Sequence, residues 1–448
     1  MDSWTNLSIA AFVALFALTA HDLWRRDLLF GAAYAMLFLY GVFALIGYEH
    51  LPQLSESIGL YFGEQVLLPA ATFCILSLGA FYMCSRILLS SALPRIQLQM
   101  VSTKPHTRTA YLLVAVLVGS IVAFAAHYWD VLDYGNASDS AFLEAMGVRY
   151  ALFSVALKMI PAMSAALYGV WATNLARQPP RRRFLVMPCL CVCVAVLLIV
   201  TSKIGNRTDV VALLIGCSVA EWYVHRSGLH VQRTRLQRRV VPLAVIAGVL
   251  AVVWIQWNRT RGTSRPLLES LIAQDYFPPA HMLFGAMSVD YCDPREVLLT
   301  NASNSLMFIK YPYLQEQIYS ALGGSYTTRS ASHALYLFAE GFVALGWLGW
   351  IYNGLIPAAG LTLWRTLSRT KHAAYNAIAL GVVATQIANL ARGQSSYFIK
   401  DMYLSFLPAL FLVWLITGLR PSLGPFLHAG PMIKRPSRQA AHSKSCVE

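Results

Sequence analysis

At 448 residues, 57% of them apolar and only 12% charged, the chain is too apolar for a soluble globular protein. Long uncharged runs recur, each near the roughly 20 residues a helix needs to cross about 30 Å of hydrocarbon. The formal net charge of +14 falls mostly in alternating linkers, so it reads as membrane topology and attraction to anionic lipid rather than as nucleic-acid binding.

Backbone groups in lipid must be satisfied within their own segment, so these runs are predicted to be helices. The fold class is all-α: a polytopic integral membrane protein of about eleven transmembrane helices with one large external loop between spans eight and nine. Spans are predicted at 4–20, 28–48, 66–84, 110–127, 150–173, 184–201, 210–224, 240–257, 331–352 (or on to 364), 373–391 and 402–418. The first lacks the basic start and small-residue cleavage site of a signal peptide and is read as a span. Residues 1–257 thus hold eight spans, 258–330 the polar loop, 331–418 three more spans, and 419–448 a basic tail expected to be disordered. A break in span nine is expected near Gly349 or Pro357, if one occurs.

Linkers 21–27, 85–109, 176–183, 225–239, 365–372 and the tail hold 23 of the 35 Lys and Arg. Loops 49–65 and 128–148 of the opposite set hold seven acids and no Lys or Arg. Cytoplasmic loops are enriched in Lys and Arg, which predicts an external N-terminus, a cytoplasmic C-terminus and an external long loop. Of the eight cysteines, six lie in apolar runs; Cys292 alone is in the long loop and Cys446 is in the tail. They suggest no disulfide framework, and the Cys189-Leu190-Cys191-Val192-Cys193 run reads as small apolar packing rather than metal binding.

The candidate chemistry is external. Arg207, in Ser202-Lys203-Ile204-Gly205-Asn206-Arg207-Thr208-Asp209, opens the seventh helix, where a guanidinium and free helical N–H groups suit phosphate. The alternative is a cap by Asn206 or Thr208 with Arg207 snorkelling to the head groups. Arg259, Arg261 and Arg265 cluster after the eighth span, against the inside bias, and suit a pyrophosphate or acidic sugar. The loop also holds six acids, so these arginines have a second reading as partners within the loop. Arg329, His333 and Glu340 share one helical face if helix has begun by Arg329. His333 is the group best suited to moving a proton near neutral pH. Glu340 lies within a span, where a carboxylate is costly and normally faces a partner; Lys158, inside span five, is one candidate. Arg392 opens the last external loop.

Three features carry a resemblance. Gly205-Asn206-Arg207-Thr208-Asp209-Val210-Val211-Ala212-Leu213-Leu214, then His333-Ala334-Leu335-Tyr336-Leu337-Phe338-Ala339-Glu340-Gly341 with Gly346 and Gly349, and the single large late loop together resemble the O-antigen polymerase and ligase superfamily. Ala334 departs from the family's Asn, and the glycines are more widely spaced. The Arg392-Gly393-Gln394 turn and Tyr311-Pro312-Tyr313 look more like the O-antigen (oligosaccharide repeat-unit) polymerases than the ligases.

The resemblance implies a glycosyltransferase of a bacterial inner membrane, acting at the periplasmic face on undecaprenyl-pyrophosphate-linked oligosaccharide. It implies no cofactor and no metal, and a chain-length regulator protein as a candidate partner. His333 and Glu340 would then be catalytic. Arg207, Arg259, Arg261, Arg265, Arg329 and Arg392 would bind pyrophosphate or sugar. The rival readings are a ligase that passes glycan to lipid A core or protein, and a flippase for lipid-linked sugars, which would call for internal repeats and broken charged helices that the sequence does not display.

Overall fold

The computed structural model describes residues 3–46, 64–90, 99–132, 140–173, 175, 180–229, 235–260, 277–306, 314–321, 337–392 and 395–422. Helix covers the described part of every predicted span. The first eight are α1 (Ser3–Arg26), α2 (Leu28–Ile46), α3 (Leu67–Ser90), α4 (Thr107–His127), α5 (Ser140–Ala172), α6 (Pro180–Ile204), α7 (Thr208–Arg226) and α8 (Arg235–Thr260). Among the described residues, 7 helical stretches are long and apolar enough to cross a membrane, Leu337–Leu367 being counted as one, and Leu28–Gly41 and Val245–Asn258 are shorter apolar helices. Leu112 and Leu250 are each 63% exposed, an outward apolar surface that suits lipid rather than water. The protein is an all-α membrane protein.

Segment 258–330, expected to be a polar loop, contains three helices: α9 (Phe277–Ser288), α10 (Pro294–Leu306) and α11 (Leu314–Ala321). Asp293 starts α10, its Oδ1 accepting the N–H groups of Arg295 at 3.0 Å and Glu296 at 3.3 Å, with Pro294 in the first turn where its missing N–H costs nothing. The Asp293 N–H reaches Val343 O at 2.9 Å, which ties the loop to the membrane helix that follows.

That helix does not run straight. α12 (Leu337–Leu345) ends in a tight turn at Gly346–Leu348, and α13 (Gly349–Leu367) runs back beside it. A Cβ on Gly349 would lie 2.0 Å from the Gly341 carbonyl oxygen, whereas residues eight apart in a straight helix are separated by about 12 Å. Gly346 makes the reversal at φ +57°, a conformation costly to any residue with a Cβ. Pro357 lies inside α13 without interrupting it, so the break falls at Gly346 and not at the proline. The chain then forms α14 (Ala373–Ala384), α15 (Ile387–Arg392), and α16 (Ser395–Asp401), joined through a wider turn at Met402–Phe406 to α17 (Leu407–Thr417).

Close backbone contact holds the bundle. A Cβ on Gly354 of α13 would lie 2.5 Å from Ala80 Cβ of α3, and one on Gly216 of α7 would lie 2.8 Å from the Gly381 carbonyl of α14. In lipid there is little hydrophobic drive between helices, so such small-residue seams, rich in van der Waals contact, set which helices associate.

Contacts between distant linkers gather the basic segments at one end. Arg365 Nε lies 2.5 Å from Asp27 Oδ2, Tyr223 donates to Asp27 Oδ1 at 2.7 Å, and the Leu29 N–H caps on the same oxygen at 3.0 Å. Arg226 donates to the Arg26 carbonyl at 3.0 Å, and Arg86 lies 3.6 Å from Asp22. Residues 99–102 (β1) pair antiparallel with 419–422 (β2), Val101 opposite Arg420. The first residues of the tail are therefore an ordered strand rather than disordered chain. The described parts of linkers 21–27, 85–109, 225–239 and 365–372 and residues 419–422 of the tail, grouped by charge in the sequence, share one end of the molecule.

Candidate functional site at the end opposite the basic linkers

A fully buried carboxylate organises four elements at this end of the bundle. Glu340, on α12, is fully buried. Its Oε1 accepts from Tyr352 OH at 2.6 Å, Ser395 OH at 2.6 Å and Asn301 Nδ2 at 2.7 Å, while Oε2 accepts the Ser395 backbone N–H at 2.7 Å. Asn301 comes from loop helix α10, Tyr352 from α13, and Ser395 from the first residue of α16. Tyr352 and Ser395 hydroxyls also lie 3.2 Å apart. Isolated, such a carboxylate would be far too costly in an apolar interior; four donors and the positive end of a helix replace its hydration. Most of its lone pairs are turned to protein donors, which gives Glu340 the place of an organiser. Among the described residues its partners are these neutral groups and not Lys158.

The surroundings lock α12 in register. Asn353 donates to Ser77 of α3 at 3.0 Å and to the Phe338 carbonyl at 3.4 Å. Phe342 meets Phe73 and Trp347 edge-on, with ring centroids 5.6 and 6.2 Å away. Tyr403, in the wide turn before α17, donates to the Ser305 carbonyl of α10 at 2.5 Å and clamps the loop helix to the last span.

Arg207 forms a second polar centre at the same end. Gly205 at φ +73° and Asn206 begin α7: Asn206 Oδ1 accepts the Thr208 N–H at 3.1 Å, and its amide donates to Asp209 Oδ2 at 2.8 Å. Arg207 is only 7% exposed and donates through Nη1 to Gln256 Oε1 of α8, itself 1% exposed. Arg207 itself stands at the N-cap position with no side-chain cap bond, Asn206 bonds the first turn from one residue outside, and Arg207 turns inward instead of snorkelling. A guanidinium fixed at a helix start is a geometry that suits phosphate binding. Short α15 links the two centres, packing on α7 and α2 to one side and on α12 and α16 to the other.

Of the remaining candidates, Arg259 lies in the last turn of α8 and Arg392 at the end of α15, which places both backbones near this end. Arg261, Arg265, Arg329 and His333 lie outside the described residues. Among the described residues, no group of three His, Cys, Asp or Glu is placed to hold a metal, and seven cysteines are free thiols. Asn301, Tyr352 and Ser395 escaped the sequence reading because neutral polar residues are common in loops and spans. The one available signal was Glu340, whose burial demands donors from somewhere.

No protein-family model matches the chain, and neither a curated protein nor a solved structure is similar to it.

Proposed function

We propose that the chain is a metal-independent membrane glycosyltransferase that polymerises undecaprenyl-pyrophosphate-linked oligosaccharide repeat units at the periplasmic face of a bacterial inner membrane. The observation that carries this reading is the convergence, opposite the basic linkers, of loop helix α10, the folded-back helix α12 and the start of α16 on buried Glu340. A helical loop fastened over a hairpin that packs among the spans is the kind of place where a lipid-held substrate would meet water. The basic linkers then face the cytoplasm, and the N-terminus the periplasm.

In this reaction an acceptor sugar hydroxyl attacks the anomeric carbon of the growing glycan. The C–O bond to undecaprenyl pyrophosphate breaks, and the pyrophosphate leaves as an anion. His333 takes the hydroxyl proton or orients the acceptor. Arg207, with Arg259 and Arg261, stabilises charge on the leaving pyrophosphate. Arg265, Arg329 and Arg392 contact sugar or phosphate. Glu340 positions the hairpin and the start of α16.

The test is reconstitution of the purified full chain in liposomes with a synthetic undecaprenyl-pyrophosphate-linked repeat unit. Dimers and longer glycans with stoichiometric release of undecaprenyl pyrophosphate are expected. Transfer of intact lipid-linked unit across the bilayer with no new glycosidic bond would refute the proposal in favour of a flippase.

A further inference from the structure

α8 is a peripheral helix: Leu250, Val253, Trp254 and Trp257 are exposed, so its outer surface faces lipid. It is pinned to α7, where a Cβ on Gly248 would lie 2.3 Å from Leu214 Cδ2. Between the two exposed tryptophans, Ile255 and Gln256 turn inward, and Gln256 is 1% exposed. A glutamine buried on a lipid-facing helix costs free energy unless both ends of its amide find partners.

One end does. Arg207 can only donate, so the atom facing its Nη1 must be the amide oxygen, and this fixes the orientation of the whole group. Gln256 Nε2 is then a buried N–H donor with no acceptor among the described residues. Covalent geometry keeps it beside the guanidinium, at the start of a 19-residue helix whose dipole favours negative charge. Asp209 shares that helix start, but its Oδ2 accepts from the Asn206 amide at 2.8 Å, and Asn206 Oδ1 accepts the Thr208 N–H at 3.1 Å. The unspent donor therefore lies on the Gln256 side. A cation, a helix start and an unspent buried donor together call for an anion with several acceptor oxygens. A phosphoryl group is one.

We infer that Gln256 is part of the pyrophosphate site: Oε1 holds the Arg207 guanidinium without neutralising it, and Nε2–H donates to the same anion. The inference rests on the reading of Arg207 as the group that meets the leaving pyrophosphate, and adds the residue that aims it. A glutamate here would hold Arg207 as firmly but cancel its charge. An apolar residue would keep the charge and lose the aim. A neutral amide does both.

The experiment titrates the purified full chain in detergent with inorganic pyrophosphate and, separately, with undecaprenyl pyrophosphate, reading binding from the rise in unfolding midpoint. Gln256→Glu should keep or raise the midpoint without ligand, because the carboxylate pairs with Arg207, yet lose the response to both probes. Gln256→Met keeps the volume and the cation and should weaken both probes about tenfold. Undecaprenyl pyrophosphate should bind the wild type more tightly; equal affinity for the two would make free pyrophosphate the ligand and overturn the assignment to the carrier. Wild-type affinity in Gln256→Met, a wild-type response in Gln256→Glu, or no response in the wild type would overturn the inference. If the chain binds the probes through Gln256 yet joins no repeat units, the polymerase reading falls and the anion site stands. Polymerisation with kcat and KM unchanged in Gln256→Met would do the reverse.

Discussion

Replacing Glu340 by Gln removes one charge and almost no volume, so it isolates the hydrogen-bond network. The amide oxygen can take the place of Oε1 and serve Tyr352, Ser395 OH and Asn301, now as a neutral acceptor. The amide NH2 then faces the Ser395 backbone N–H, donor against donor, in place of the 2.7 Å bond to Oε2. Leaving that buried N–H unpaired costs about 1–3 kcal/mol, and weakening three charge-assisted bonds adds about 1 kcal/mol each. Relief of the buried charge offsets part of this, leaving a net loss of roughly 2–4 kcal/mol. The assay is the apparent unfolding midpoint of the detergent-purified chain, followed by tryptophan fluorescence. For a chain of 448 residues a fall of about 2–4 °C is expected. Ser395→Ala removes only the hydroxyl and should cost about 1 kcal/mol, and the double variant should lose less than the sum because the two share one network. A wild-type midpoint for Glu340→Gln, or full additivity with Ser395→Ala, would refute the network.

Two further substitutions test the frame around the site. Gly349→Ala places a methyl 2.0 Å from the Gly341 carbonyl and should open the α12–α13 hairpin, seen as loss of folded protein in detergent; normal yield and midpoint would mean the helices do not fold back. Asp27→Ala leaves the partly buried Arg365 without its ion-pair partner and should destabilise the basic end by about 2–4 kcal/mol, measured by the same unfolding assay, whereas Asp22→Ala, at a more exposed pair, should cost about 1 kcal/mol or less.

Helix positions were legible because apolar runs in lipid have one way to satisfy their backbones. The charge alternation of the linkers was legible for a similar reason, and contacts such as Asp27 with Arg365 show those linkers meeting. The hairpin was legible only in part. Gly341, Gly346 and Gly349 stood out, but hydropathy cannot separate one long span from two helices packed face to face. The helices of the long loop were missed although Asp293-Pro294-Arg295-Glu296 carries a helix-start signature, because a polar, aromatic composition says loop more loudly than a four-residue cap. At the site, the cost of a carboxylate among apolar residues pointed to Glu340. Its partners come from positions 301, 352 and 395, and only the tertiary fold brings them together.

The most direct test of the polymerase reading is a glycan-stained gel ladder of surface polysaccharide from the source organism with this gene deleted. The account predicts core bearing a single repeat unit with every longer rung gone, and restoration of the ladder by the full chain. Loss of all core-linked glycan while polymer builds on the lipid carrier would identify a ligase instead. An unchanged ladder in a strain with no second copy of the gene would contradict the account.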